Sequence, residues 1–326
     1  MATKPTQGMA NLSVPPSSTS AQRILITGSE GLVGTALRAA LETRGASVVG
    51  LDLRGAGGER GDVCDAERVV QAVAGCEGVI HLAAVSRVVW GERDPEECWR
   101  VNVGGLRNVI EALERQSHRP WLVFASSREV YGQPDELPAS EDAHLRPVNV
   151  YGRSKVQCER LMEAGRARGL RGAVVRLSNV YGSTRDHADR VVPAFARAAV
   201  LGDTLRVDGS GQIFDFTHVE DTTRGLMALV RLVARNGVPP PIHLLTGQPV
   251  NLGHLAALAR EFAGNAASII EAPARRFDVA RFYGNPARAQ RLLGWSSRIP
   301  IREGIRQLVR AFQVELANGG MKRHAL

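Results

Sequence analysis

The chain has 326 residues, 44% apolar and 23% charged, with a formal net charge of +8. That is an ordinary globular composition, long enough for a sizeable core in one large domain or two, and no run of about 18 apolar residues offers a membrane span. The arginines are scattered and form no nucleic-acid-reading motif, which sets nucleic acid aside and leaves a solvated basic face and a polyphosphate ligand as uses for the charge. Four cysteines (Cys64, Cys76, Cys98 and Cys158) show neither Cys-x-x-Cys spacing nor paired histidines. They read as buried free thiols of a reducing cytoplasm, without a metal.

Residues 1–21, rich in Ser, Thr and Pro and lacking the apolar core of a signal peptide, read as a disordered leader. The first strand is the apolar, β-branched run 23–27. It is ended by Gly28-Ser29-Glu30-Gly31-Leu32-Val33-Gly34, and helical spacing follows over 35–44. In this context Gly28 and Gly31 let the backbone approach a pyrophosphate, and Gly34 lets helix and strand pack closely. A second strand over 46–51 ends at Asp52, where a carboxylate hydrogen-bonds ribose hydroxyls and repels a 2′-phosphate, favouring NAD. Arg54 close by would instead welcome that phosphate. Gly61-Asp62-Val63 reads as the loop over the adenine; Asp62 reads equally as an acid at the start of a helix over 66–74.

A third strand, 78–84, runs into the small residues of Leu82-Ala83-Ala84, which leave room for a cofactor at the carboxyl edge of a parallel sheet. His81 within it reads as structural. Asp94-Pro95 opens a long helix that contains Asn102. The fourth strand, 121–125, delivers Ser126-Ser127-Arg128-Glu129 to the same edge, and a proline-rich loop over 133–147 leads to Tyr151-Gly152-Arg153-Ser154-Lys155. On a helix, Tyr151 and Lys155 share a face one turn apart, so the ammonium can stabilise a phenolate while Ser127 shares the substrate oxygen. Such a set removes a proton from an alcohol as a hydride leaves the carbon, or the reverse. Strands over 171–177, 205–207, 214–219 and 242–245 alternate with helices over 188–202 and 221–234. The alternation predicts an α/β fold, a Rossmann-like doubly wound parallel sheet with a smaller C-terminal substrate-binding lobe. The expected division is a leader over 1–21, a nucleotide-binding domain over 22–181, and a segment over 182–318 that completes the sheet and forms the lobe.

Taken together, Gly28/Gly31/Gly34, Asp52, Asp62, His81-Leu-Ala-Ala, Asn102, Ser127, Val130-Tyr131-Gly132, Tyr151-x-x-x-Lys155, Asn179-Val180-Tyr181-Gly182, Asp215-Phe-Thr-His-Val and a tail from Asp278 to Trp295 resemble the extended short-chain dehydrogenase/reductase family, in its nucleotide-sugar epimerase and dehydratase branch. The resemblance implies NAD as cofactor, held by Gly28, Gly31, Leu32, Gly34, Asp52, Asp62, Val63, Leu82, Ala83, Ala84, Asn102, Tyr151 and Lys155. It implies Tyr151 as acid/base, Lys155 and Ser127 as its helpers, and Asn179, Arg275 and Arg87 toward a nucleotide-sugar substrate. It also implies a homodimer through the helices near 95–116 and 150–167. Two departures stand out. Relatives usually carry arginine just before the Asp-Phe, where this chain has Phe214. The 4,6-dehydratases carry Thr-Asp-Glu where this chain has Ser127-Arg128-Glu129, which keeps the glutamate but puts a cation in place of the acid. The expected activity is a 4-epimerase working through a 4-keto sugar. A dehydratase or uronate decarboxylase using Glu129, a sugar reductase and a non-catalytic NAD sensor remain the alternatives, and Glu129 reads equally as half of an ion pair with Arg128.

Overall fold

A computed structural model describes residues 22–275 and 279–320. The leader and the start of the Asp278 segment lie outside the described residues. Five apolar runs form strands β1 (Arg23–Thr27), β2 (Ser47–Leu51), β3 (Gly78–His81), β4 (Trp121–Ser127) and β5 (Gly172–Leu177). Beyond β6 (Asn179–Tyr181), β7 (Leu205–Asp208), β8 (Ile213–Phe214) and β9 (Phe216–His218), strand β10 (Ile242–Leu244) returns to the same sheet. The six strands lie in the order β10-β5-β4-β3-β1-β2, and every pairing is parallel.

The strand pleat explains why apolar residues follow one another along these runs. On β1, Leu25 faces a core shared with helices α2 (Ala66–Val73), α5 (Gly105–Glu114) and α6 (Val150–Ala167). Its neighbours Ile24 and Ile26 face the other side, toward α1 (Leu32–Glu42) and α8 (Val219–Ala234). A sheet covered on both faces needs apolar residues at both parities. A third core lies beyond the sheet, where α7 (Val191–Leu201), α9 (Leu252–Ala263) and α11 (Ile301–Ala317) pack around β7. The chain leaves β1 toward β2 on one side and returns to β3 on the other, so the strand order reverses between β1 and β3. Ligands of such sheets bind outside the carboxyl ends of the strands at that reversal.

The structure redraws several elements. The predicted long helix is α4 (Pro95–Trp99), a π turn over Arg100–Gly104 and then α5, preceded by a short α3 (Val88–Arg93). The predicted strand over 214–219 is split into β8 and β9 at Asp215. The buried carboxylate of Asp215 accepts from the Thr246 amide at 2.9 Å, the Thr246 hydroxyl at 2.8 Å and the Gly247 amide at 2.7 Å. The acid that caps α2 is Asp65, which accepts from the Arg68 amide at 3.0 Å; Asp62 accepts from the Cys64 amide instead. Of the four cysteines only Cys76, Cys98 and Cys158 are buried, Cys64 being half-exposed.

Two core histidines make folding pH-dependent. His81 contacts the Thr27 hydroxyl at 2.8 Å, and burial pushes it down to about 3. His243 meets the Tyr131 hydroxyl at 2.6 Å, and burial followed by the Arg176 charge pushes it down to about 3. Their folded values lie below the unfolded value near 6.5, so each contributes stability that is complete above that pH and is lost as pH falls. Each loss amounts to about 1.4 kcal/mol per pH unit below roughly 6.5. The expected result is that His243→Gln unfolds in urea with a shallower pH dependence between pH 6 and 5, by about one bound proton. An unchanged slope would mean that His243 already titrates normally in the folded chain.

Candidate active site

The carboxyl ends of β1, β3, β4 and β5 open into a cavity of about 410 Å³. Its wall includes Gly28, Gly31, Leu32, Gly34, Leu82, Ala84, Arg87, Ser127, Glu129, Tyr151, Lys155, Asn179 and Arg275, all singled out in the sequence. Ser127 closes β4. Asn149 caps α6 by accepting from the Gly152 amide at 2.7 Å, which fixes where the Tyr151 turn begins. Tyr151 sits among Cys98, Val150, Val85 and Val88, and burial pushes its phenol up to about 12, against a hydrogen bond with Ser127 and the charge of Arg190, which pull it down.

Lys155 is buried, donates to the Ala125 carbonyl at 2.9 Å, and lies 5.7 Å from the centre of the Tyr151 ring. Burial lowers its pKa, while neighbouring thiols and Glu159 oppose the shift. A phenol held by a hydroxyl, with an ammonium one turn along the helix, can give and take a proton at a substrate oxygen in the cavity.

Glu129 is buried and fully engaged. Its Oε1 lies 2.7 Å from Arg128 Nη2, and its Oε2 accepts from Asn149 Nδ2 at 2.7 Å. The ion pair foreseen as one reading of Glu129 therefore exists. Arg128 in turn lies 4.5 Å over the Phe214 ring and 5.7 Å over Phe282.

Across the cavity, Arg87 Nη1 pairs with Asp189 at 2.6 Å, and Arg190 donates to the Ser86 hydroxyl at 3.2 Å while its Nε lies 3.5 Å from Asp186. The Arg87–Asp189 and Arg190–Ser86 contacts tie the loop after β3 to the segment before α7. Asn179 donates to the Asp215 carbonyl at 3.1 Å.

The remaining sequence-chosen residues lie outside the lining of this cavity. Asn102 accepts from the Val85 amide at 2.8 Å and donates to the Ser154 hydroxyl at 2.9 Å, fastening the loop to α6 with its polar atoms spent on the chain. Val63 is a core residue whose carbonyl accepts from Asn108 at 2.9 Å. Asp62 lies 3.4 Å from Arg100. Ala83 donates its amide to the Thr27 hydroxyl at 3.3 Å. Asp52, at the end of β2, accepts from the Glu30 amide at 3.0 Å and the Arg54 amide at 2.9 Å, beside the glycine turn. Its 3.5 Å contact with Arg54 ties the two competing groups together.

Sequence reasoning missed Arg128 as a wall residue, Asn149 as the anchor of Glu129, and the brace behind Ser126. There Ser126 donates to Glu159 at 2.5 Å, and Arg176 binds both oxygens of that carboxylate. The signal for the brace was an arginine inside the apolar run of β5.

The glycine turn fits a dinucleotide. Gly28 has φ +73°, and a Cβ there would lie 2.7 Å from the Ala83 nitrogen; one at Gly34 would lie 2.2 Å from the Gly28 oxygen. Gly31 caps α1 without a side chain, and no acid occupies the first turn, so the helix amides face the cavity uncompensated. An anionic pyrophosphate satisfies such a helix end.

The model of the NAD dependent epimerase/dehydratase family matches residues 24–244. The UDP-glucose 4-epimerase of Streptomyces lividans is 29% identical over 306 residues, covering 84% of this chain and 91% of its own. The UDP-glucuronic acid decarboxylase 1 of Xenopus tropicalis is 28% identical over 313 residues, covering 90% and 73%. The structure of MoeE5 in complex with UDP-glucose and NAD superposes with a TM-score of 0.83 at 30% identity, covering 90% of this chain and 99% of that one. The same protein is also solved with UDP-glucuronic acid and NAD, at a TM-score of 0.82.

Proposed function

Because this chain belongs to the NAD-dependent epimerase/dehydratase family, we propose that it is a nucleotide-sugar 4-epimerase. The observation that carries this reading is the convergence of Ser127, Tyr151 and Lys155 on the cavity that also reaches the glycine turn, while Glu129 is held by Arg128 and Asn149. Gly28, Gly31, Leu32 and Gly34 would cradle the pyrophosphate of NAD, Asp52 the adenosine ribose, and Lys155 with Tyr151 the nicotinamide ribose. NAD, when bound, supplies a hydride acceptor at the sugar C4 and later gives the hydride back. Tyr151 takes the O4 proton as C4 is oxidised and returns it after the 4-keto sugar has turned over in the cavity. Ser127 holds the same oxygen through both halves of the reaction. Arg190 and Arg275, with Asn179, line the wall where a diphosphate would be gripped. Arg87, tied to Asp189, would set the loop that faces the sugar.

A lyase reading draws support from the decarboxylase relative and from Glu129 lying in the wall. Solvent hydrogen separates the two. In 4-epimerisation the only exchangeable proton is on oxygen, whereas a dehydratase or decarboxylase reprotonates C5 from solvent. The reaction run in deuterium oxide is expected to give product without carbon-bound deuterium by NMR. Deuterium at C5, lost in Glu129→Gln, would replace the epimerase with a lyase.

A cytoplasmic homodimer belongs to the same proposal. Trp99, on the outer side of α4, keeps 40% of its surface exposed, and an exposed tryptophan on a helix face is suited to a two-fold contact. Light scattering at micromolar concentration is expected to give the mass of a dimer, and a monomer there would overturn this.

A further inference from the structure

The wall of the cavity includes a cation stacked on two aromatic rings. Arg128 follows Ser127 directly, so it lies beside the group that holds the reacting sugar oxygen. Its guanidinium is stacked on Phe214 at 4.5 Å and backed by Phe282 at 5.7 Å, with 11% of the side chain exposed. One terminal nitrogen, Nη2, is committed to Glu129 at 2.7 Å. The other, Nη1, is buried and has no hydrogen-bond partner among the described residues.

Buried N–H groups without an acceptor are rare and costly, and the neighbouring carboxylate already has other partners. Both oxygens of Glu129 are occupied, by Arg128 and by Asn149. What this point of the wall holds is therefore a guanidinium shared with Glu129, with one N–H still without an acceptor. The two aromatic faces hold the guanidinium plane in place, so little freedom is lost when it binds an anion.

We infer that Arg128 recognises a carboxylate on the sugar ring next to the reacting carbon, so that the substrate is a nucleotide-linked uronic acid rather than the neutral hexose. The inference rests on the nucleotide-sugar reading above and narrows it. A hydroxymethyl group at that position offers a neutral oxygen to a charged donor. A carboxylate offers two charged oxygens, which match the planar fork and bind it more strongly. The diphosphate, common to both kinds of sugar, is left to the arginines across the cavity and does not discriminate.

The test is equilibrium binding to the NAD-loaded protein, carried out in the Tyr151→Phe background so that turnover does not consume the probes. UDP-glucuronic acid and UDP-glucose share nucleotide, diphosphate and ring, and differ only in the carboxylate. UDP-glucuronic acid is expected to bind at least tenfold more tightly, and Arg128→Met to bring the ratio within about threefold. Arg128→Lys keeps the charge but not the fork and is expected to lower the preference at least threefold, which serves if the methionine variant does not fold. Equal affinities, tighter binding of UDP-glucose, or a preference untouched by either substitution would overturn the assignment. Failure of both probes to bind would overturn the nucleotide-sugar reading beneath it. Product analysis on the unmodified enzyme tests the epimerase reading separately, whatever the binding preference is.

Discussion

Tyr151→Phe is expected to fold, to bind NAD with near-normal affinity, and to lose at least about a thousandfold in turnover. A loss of that size is about 4 kcal/mol of transition-state stabilisation, within what a positioned general acid/base supplies. The ring stays, and with it the packing against Cys98, Val85 and Val88, so the fold has no reason to fail. What disappears is the hydroxyl that Ser127 contacts and that burial holds near 12 in the ligand-free protein. A neutral phenol cannot take a proton, so the step requires Tyr151 to ionise first, which the positive charges of Arg190 and Lys155 favour against burial. Kinetics with a nucleotide sugar, alongside a thermal melt and NAD titration, separate the outcomes. Near-normal turnover would remove Tyr151 from the chemistry.

How much of this was legible in the sequence depends on how local each determinant is. The six-stranded sheet was visible because its inner strands are buried on both faces, so Ile24, Leu25 and Ile26 could all be apolar in a row. The glycine turn was visible for a similar reason: Gly28 and Gly34 approach backbone that lies within the motif or at the next strand of the sheet, and the spacing records that approach. The π turn at Arg100–Gly104 leaves no such mark, because one extra residue in a helix alters the register without altering the residue types. The break at Asp215 was hidden because its cause, the amides of Thr246 and Gly247, comes from a distant loop.

The site shows the same division. Ser127, Tyr151 and Lys155 lie on one strand end and the following helix, and their spacing carried the reading. The stacking of Arg128 on Phe214 joins residues far apart in the chain. From the sequence, each appeared only as a separate departure from the family pattern. In space the two departures touch, and neither is intelligible without the other. Asn102 illustrates the opposite case, a residue legible as belonging to the site region whose contacts turn out to fasten one loop to one helix.

Lys155→Met is expected to cost roughly a hundredfold in kcat, to weaken NAD binding, and to move the ascending limb of the pH–rate profile to higher pH. The ammonium lies 5.7 Å from the centre of the Tyr151 ring. With an effective dielectric near 20, a unit charge at about that separation favours the phenolate by about 3 kcal/mol, or about two pKa units. Methionine fills a similar volume beside Phe124 but supplies no charge and no donor for the Ala125 carbonyl. Arg190 also acts on Tyr151 in the ligand-free protein, and it remains in the variant, so the loss is expected to stay below that of Tyr151→Phe. The ordering of the two variants is therefore part of the prediction. A pH–rate profile that keeps its ascending limb in Lys155→Met, with NAD affinity unchanged, would mean that Arg190 alone tunes the phenol and that Lys155 serves only to tie α6 to the end of β4.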